Sequence, residues 1–544
     1  MALDTRDQGV LLTMGEAFSR KGNLDRFWQT VADNHYPERA SFTRPLDLGE
    51  EATSQLYSSE PVLFRREFGN FLNSALRPRG RDWFSMAPAN VKLRKRPKVL
   101  AYLDEKRDML RALLYNRGSG YTRAMVEADH DFATFGNAVG TVEERPDRSG
   151  LLFRTWHLRD CAWLQNYEGE VDTVFRKFRP TIRELMAQEK RRGWKIDPKL
   201  AEVATKEPLR KVNCVHVQMP LLSYQPEKKA KLEWVSLYYD IDHQCLMSRK
   251  LVPEFNYFVD RWSLLNESPY AISPCVICSL PDSRTLQVMT WSVIEAGEKA
   301  VEPPMVATHG AVVGGVNIAA AQVTWVDKNY DERTGDAIRA LELGTSPQFG
   351  EVLREGIRNN LNAAWYLNKL LMPQTYDKTA YEANRLHEEF LRAVQPIMEP
   401  AEAERNGNHL DLAFAISQRL GLWGDPKAMP EELAGQDIDF TYDNPYEDAR
   451  KQALSLAYKA TAEVNQIAAA TDPTVMAQFN GKKAYRDAIS GVAPPSWLLD
   501  EDEAEEAMAK AEEEQTLAGA AQEVAGAAEI EAKMQPKGQM QAAA

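Results

Sequence analysis

The chain has 544 residues, 44% of them hydrophobic and 27% charged, proportions that belong to a folded protein with a sizeable core. Its 66 Lys and Arg against 79 Asp and Glu give a formal charge of −13, and five cysteines are too few, and odd in number, for a disulfide framework. The start, MALDTRDQGV, has neither a basic nor an apolar region, so no secretory signal is expected. The longest uncharged stretch, Pro303 to Val326, is broken by glycines, Asn317, Gln322 and two prolines, so no membrane span is expected either.

The charge is uneven. Residues 500–544 hold twelve acidic and three basic residues, net −9, together with 14 alanines, the composition of a solvated helix or a disordered tail. The other 499 residues carry only −4, which excludes a general nucleic-acid binder, because affinity for phosphates comes from clustered Lys and Arg.

In chain order, apolar residues at three- and four-residue spacing predict helices at Asp25–Ala32, Ser59–Ser74 and Val99–Leu114, with a Pro- and Gly-punctuated turn at Leu76–Phe84. Short Val-, Phe-, Tyr- and Trp-rich runs then predict strands at Leu151–Trp156, Val171–Phe178, Val212–Met219, Trp234–Ile241 and Phe255–Trp262, interrupted by a helix at Thr181–Arg192. The middle third is an α+β module in a mainly helical chain. Two long helices follow. Asp282–Val301 carries Leu286, Met289, Val293 and Gly297/Val301 and stops at Pro303-Pro304; Ser346–Met372 carries Leu353, Ile357 and Leu361 and stops at Pro373. A loop, Pro373-Gln374-Thr375-Tyr376-Asp377-Lys378, leads to a third helix opened by the capping box Thr379…Glu382. Helices at His409–Leu420 and Asn444–Ala470 complete the pattern.

Catalytic motifs are weak. Cys275-Val-Ile-Cys278 has zinc-ligand spacing without a second pair, and the apolar residues between suit a buried turn or strand. His130-Asp131 has the residue types of a metal-dependent hydrolase, but its flanks Ala128, Phe132, Phe135 and Gly136 fit the end of an amphipathic helix. No phosphate-binding loop is present, since Gly481-Lys482-Lys483 lacks the upstream glycine and the Ser/Thr, and neither G-x-S-x-G nor H-E-x-x-H occurs. Lys92, Arg94, Lys95, Arg96 and Lys98 form a basic run balanced by Asp104, Glu105 and Asp108, which fits a solvated face or a subunit contact better than a phosphate site. No catalytic residue, metal or cofactor is expected.

In their order, several segments carry a likeness: Tyr36-Pro-Glu-Arg39, the Leu76–Phe84 turn, Phe132–Val142, Phe153-Arg-Thr155, Gly169–Arg176, Leu280-Pro-Asp282, Pro303-Pro304-Met305, and Met372-Pro373 through Glu382. Over roughly residues 10–480 the chain resembles the head-to-tail connector (portal) proteins of podovirus-type bacteriophages. Ser268-Pro-Tyr-Ala-Ile-Ser-Pro274 departs from the Tyr-Gly-Arg-type segment usual in that family before the first long helix.

The resemblance implies a mainly helical α+β portal fold assembled as a ring, normally a dodecamer, at one capsid vertex of the virion after assembly in the host cytoplasm. It implies a wing at 1–270, a first stem helix at 271–302, a clip at 303–345, a second stem helix at 346–372, a channel loop and wing helix at 373–440, a crown at 441–499 and the acidic tail at 500–544. Double-stranded DNA would pass through without tight binding, Pro373–Lys378 being the channel loop, with Lys378 as a weak phosphate contact and Thr379 and Glu382 capping the helix beyond. The charge-free clip surface (Met305, Val312, Val313, Ile318, Val323, Trp325) would dock a terminase motor and then a tail adaptor. The major capsid protein and internal core or scaffold proteins complete the implied partners. The competing expectations are a monomeric helical scaffold with an acidic partner-binding tail, and a metal-dependent hydrolase, perhaps a nuclease, using His130 and Asp131.

Overall fold

A computed structural model of the chain describes residues 3–301 apart from 48, 55, 81, 91–92, 228–232 and 267; then 305–307, 314, 325, 327, 338–340 and 347–370; positions scattered between 385 and 400; 401–424; 429–442 apart from 434; 445–471; and 479–489. Its architecture is mainly helical α+β. Two compact units are present: 1–89 with 102–444, and 90–101 with 445–544.

The first unit begins with α1, Thr5–His35, far longer than the expected Asp25–Ala32. A capping box opens it, the Asp7 amide donating to Asp4 Oδ1 at 2.8 Å. The helix serves two cores, which is why no single apolar stripe marks it. Val10 and Ala17 pack on one sheet, whereas Trp28, Val31 and Ala32 enter the largest core. At the crossover Lys21 is buried, its Nζ donating to the carbonyls of Leu158 (2.6 Å) and Cys161 (2.8 Å) and facing Asp25 at 3.2 Å.

The helices α2 (Glu60–Leu76), α3 (Pro97–Leu114) and α4 (Tyr121–Phe135) follow, with the strand β1 (Phe84–Pro88) between the first two. α1, α2 and α4 enclose the largest core with a three-stranded antiparallel sheet, order β3-β2-β9, formed by β2 (Asn137–Glu144), β3 (Leu151–Trp156) and β9 (Tyr257–Arg261). The central strand β2 is buried on both faces through Val142, so it shows no polar alternation, and periodicity alone misses it. α4 ends at Gly136, whose φ of 72° is left-handed; a Cβ there would lie 2.2 Å from the Ile272 carbonyl carbon, so only glycine fits the turn into β2.

The second sheet is a five-stranded antiparallel meander of β4 (Cys161–Gln165), β5 (Val171–Phe178), β6 (Cys214–Pro220), β7 (Trp234–Asp240) and β8 (Cys245–Val252). Period-two alternation divides its faces. Val215, Val217, Val235, Leu237 and Tyr239 meet the start of α1, while Cys214, Cys245 and Met247 meet α5 (Ile182–Arg192) and α6 (Pro198–Ala204). α5 begins with the capping box of Thr181 and Glu184, one residue inside the expected start, and ends at the expected Arg192 with Gly193 as its cap. A short α7 (Leu221–Tyr224) follows β6. Two-residue strands β10 (Ser263–Leu264) and β11 (Ala271–Ile272) pair just before a long helical hairpin, Pro274–Val301 and Pro347–Ala364. Within that hairpin β12 (Met305–Ala307) pairs with β13 (Ile338–Ala340), and near the end of the unit β14 (Ile438–Tyr442) pairs with β1.

In the second unit, helices Pro445–Thr471 and Gly481–Ile489 pack together, with the Tyr458 and Tyr485 rings 6.3 Å apart. No helix among the described residues is long and apolar enough to cross a membrane.

Candidate functional site

The element least explained by its own chain is the hairpin of α8 (Pro274–Val301) and α9 (Pro347–Ala364). α8 starts eight residues before the expected Asp282 and runs through Pro281. The proline is the eighth residue of the helix, where it removes one interior amide donor without ending the helix. Cys275 and Cys278 therefore lie in helix rather than in a turn or strand, the first buried and the second exposed. The two helices approach closely at Gly350, where a Cβ would come within 2.8 Å of Val293 Cγ2.

The base of the hairpin is held firmly. Gln287 Oε1 accepts from the amides of Tyr57 (2.7 Å) and Ser58 (2.8 Å), and its Nε2 donates to the Ser58 carbonyl at 2.8 Å. His35 Nε2 lies 3.4 and 3.3 Å from the hydroxyls of Ser279 and Ser283, and its ring meets Trp365 edge-on at 5.4 Å. Burial pulls the His35 pKa down to about 4, so the ring is neutral at this joint. From α9, Arg358 pairs with Glu60.

Beyond that base the chain offers the hairpin no cover among the described residues. α8 buries nothing after Thr290, and among the described side chains of α9 only Leu361 is buried. Val288, Trp291 and Ile294, three residues apart on one face, are 65%, 48% and 44% exposed, and Val352 and Leu353 of α9 are exposed as well. Tyr57 extends this face, its ring 4.9 Å from Trp291. An apolar stripe of this kind on a helix pair is what a partner surface covers.

α9 ends earlier than expected. The pattern predicts one helix from Ser346 to Met372, but the chain breaks at Tyr366, with φ of 56°, before a single turn, α10 (Leu367–Leu370). Packing overrides propensity here. Trp365 is buried against His35 and Phe68, and the half-buried Tyr366 packs on Phe68.

After the hairpin the chain returns to the core through a π-helix, Glu402–Gly407, whose wider turn lets the adjacent Arg405 and Asn406 both point inward. Arg405 Nε and Nη2 donate to Asp129 Oδ1 of α4 at 3.0 and 2.7 Å, and its Nη1 pairs with Asp260 of β9. Arg77 pairs with Asp129 and donates to Asn406 Oδ1 at 2.9 Å. Two arginines keep the Asp129 pKa below its usual value despite full burial, whereas burial raises that of Asp260 to about 7.

Among known proteins, the chain matches the bacteriophage head to tail connecting protein model over residues 15–499. The chain belongs to that family. It is also 21% identical over 476 residues to the portal protein of Salmonella phage epsilon15, a match covering 86% of this chain and 84% of the relative. Connecting head to tail is a structural task.

For a head-to-tail connector, several expected residues fall where geometry speaks to them. His130 and Asp131, consecutive on α4, face different partners. His130 Nδ1 lies 3.2 Å from Arg65 Nη1, and Asp131 is buried 3.2 Å from Arg39. Burial, with Arg65 beside it, lowers the His130 pKa to about 4; burial raises that of Asp131 to about 6. They do not converge on a shared point, so the hydrolase expectation has no support in this geometry. Among the described residues no three His, Cys, Asp or Glu side chains gather as a metal site.

Met305 opens β12 opposite Ala340, and Trp325 is 72% exposed. Val312, Val313, Ile318, Val323, the loop Pro373–Lys378, and Thr379 and Glu382 lie outside the described residues, as does the tail 500–544. In the basic run, Arg94, Arg96 and Lys98 are exposed. Sequence reasoning missed Gln287, Arg405 and the outward stripe of α8. The stripe had a signal: α8 is apolar on two faces, one for α9 and one left over.

Proposed function

We propose that this connector is the portal of its virion, a closed ring at one capsid vertex whose axial channel passes double-stranded DNA during packaging and ejection. The observation that carries the reading is the Val288–Trp291–Ile294 face, which the subunit exposes and an identical neighbour would cover. In a ring every subunit offers the same two surfaces to its neighbours, so one unsatisfied stripe per chain is satisfied without a remaining edge. The expected twelve copies at −13 each would carry about −156, and like charge between conduit and duplex favours sliding over binding.

In this reading α8 and α9 are the stem. Residues 303–345, with Trp325 exposed, are the clip that docks the terminase and then the tail adaptor. The major capsid protein and core or scaffold proteins surround the rest, and the acidic tail projects toward packaged DNA and repels it. Residues 373–378 form the channel loop. Deleting 374–377 is expected to release packaged DNA from filled heads, measured as the fraction of heads retaining full-length genome; unchanged retention would remove the loop from the account.

The interface is tested by Val288→Asp with Ile294→Asp. Both side chains are exposed within the subunit, so the far-UV spectrum should be unchanged, while the thermal transition should lose only what assembly adds. Burying two unpaired carboxylates between neighbours should weaken assembly more than about 100-fold, read as loss of the high-mass species in mass photometry. A variant that assembles like the wild type would refute the role of this face.

A further inference from the structure

Arg176 of β5 is 94% buried, yet none of the groups it touches is a carboxylate. Its Nε donates to the Tyr257 hydroxyl at 3.1 Å, and the guanidinium lies 3.8 Å from the Trp156 ring centroid and 4.8 Å from that of Phe178. Behind Tyr257 the hydrogen bonds run to His216 Nδ1 at 2.5 Å and from His216 Nε2 to the Ser236 hydroxyl at 2.9 Å. Burial holds His216 well below its ordinary pKa, so every member of this chain is neutral. The positive charge is cushioned by aromatic faces but not cancelled.

No hydrogen bond among the described residues takes up the two terminal nitrogens of Arg176, and the residue lines a cavity of about 380 Å³. The same cavity is lined by Arg154, Arg179, Arg192 and Gln188. Of its two carboxylates, Glu143 is 3.6 Å from Arg192, and Glu184 is engaged at the start of α5, where its Oε2 accepts the Thr181 amide at 2.8 Å. Gln188 Oε1 is buried without a partner, and turning the amide over presents a donor at the same place. A buried guanidinium without a counter-charge, a second orphaned polar group and further arginines converge on one space, in a chain that is acidic overall.

We infer that this cavity is an oxyanion site that takes one carboxylate or phosphate group. The terminal nitrogens of Arg176 supply the planar fork that such a group accepts; Arg154 and Arg179 add charge, Gln188 adds a donor, and Trp156 and Tyr238 wall the apolar side. The group can come from a small free anion or from an Asp or Glu of a neighbouring copy, and assembly separates the two sources. The site itself does not depend on the portal reading.

The test is calorimetric titration of inorganic phosphate, and separately of acetate, at low ionic strength, into assembled wild-type protein and into the unassembled Val288→Asp/Ile294→Asp form. Saturable binding to both forms identifies a free anion, and binding to the unassembled form alone identifies a neighbour's carboxylate. Arg176→Met should weaken binding at least about 10-fold. Arg154→Ala with Arg179→Ala, both near the cavity mouth, should weaken it about 3-fold or more with the fold intact, which decides the matter if Arg176→Met does not fold. Failure of both forms to bind either anion, or unchanged affinity in the folded arginine variants, would overturn the inference.

Discussion

Replacing Arg405 with methionine should lower the unfolding free energy of the first unit by about 3–5 kcal/mol. Arg405 is fully buried and bridges Asp129 of α4 and Asp260 of β9, segments separated from it by 276 and 145 positions in sequence. Methionine matches much of its volume but leaves Asp260 with a single donor, Asn408 Nδ2 at 3.1 Å. Asp129 keeps Arg77 and Asn73, so the loss concentrates on Asp260. Adding Asp260→Asn to Arg405→Met removes the stranded charge and should restore about 1–3 kcal/mol. Urea unfolding followed by tryptophan fluorescence reads both steps. A shift below about 1 kcal/mol for Arg405→Met would show that the network is not what fixes the returning segment to the core.

The second large effect is acid lability. Burial, the leading cause in each case, lowers the pKa of His35 and His130 to about 4 and of His157 to about 3, and holds His216 and His409 well below the ordinary value. A histidine depressed in the folded state binds protons more readily when unfolded. Its contribution to stability is therefore complete above pH ~6.5 and lost as pH falls toward the folded pKa. Between pH 7 and pH 5 His35, His130 and His157 should each lose about 2 kcal/mol, and His216 and His409 act in the same direction. Asp131 and Asp260, raised to about 6 and about 7 by burial, bind protons on folding and act oppositely, returning about 3–4 kcal/mol together. The net expectation is a loss of several kcal/mol, visible as a steep fall in urea midpoint between pH 6.5 and 5. A midpoint that is flat or rises over that interval would contradict the buried, neutral placement of these rings.

What was legible in the sequence follows from how each element is satisfied. β3 and β5 occupy the expected residues because each has aromatic and β-branched residues bounded by turn residues. α5 was legible as the one helix interrupting the run of strands, within one residue of its start. β2 was not, because a strand buried on both faces shows no alternation, and α1 was seen only at its end because its two halves face different cores. The two long helices were legible as a pair, with the apolar spacing right at Leu286, which is buried, but the spacing did not pick out Val288, Trp291 and Ile294 as the face left over. Arg405 was invisible. In Glu402-Ala-Glu-Arg-Asn-Gly407 it looks like a solvated polar run, and only the tertiary arrival of Asp129 and Asp260 makes it a core residue.

The break of α9 at Tyr366 carries the same lesson, since propensity favoured continuation and the pocket for Trp365 decided otherwise. Arg176 is a related case: a basic residue in an alternating strand reads as solvent-facing, but its place in β5 turns it inward between aromatic rings.

In the proposed portal, the exposed stripe of α8 is satisfied only by identical neighbours in a closed circle. The 544-residue chain, purified, weighed by mass photometry and viewed end-on by electron microscopy, decides the point. Particles near 740 kDa are expected, about twelve copies of the 61.5 kDa chain, with rotational symmetry and an axial hole wide enough for a duplex. A stable, folded species of about 61.5 kDa at micromolar concentration, with no larger closed particle, would contradict it.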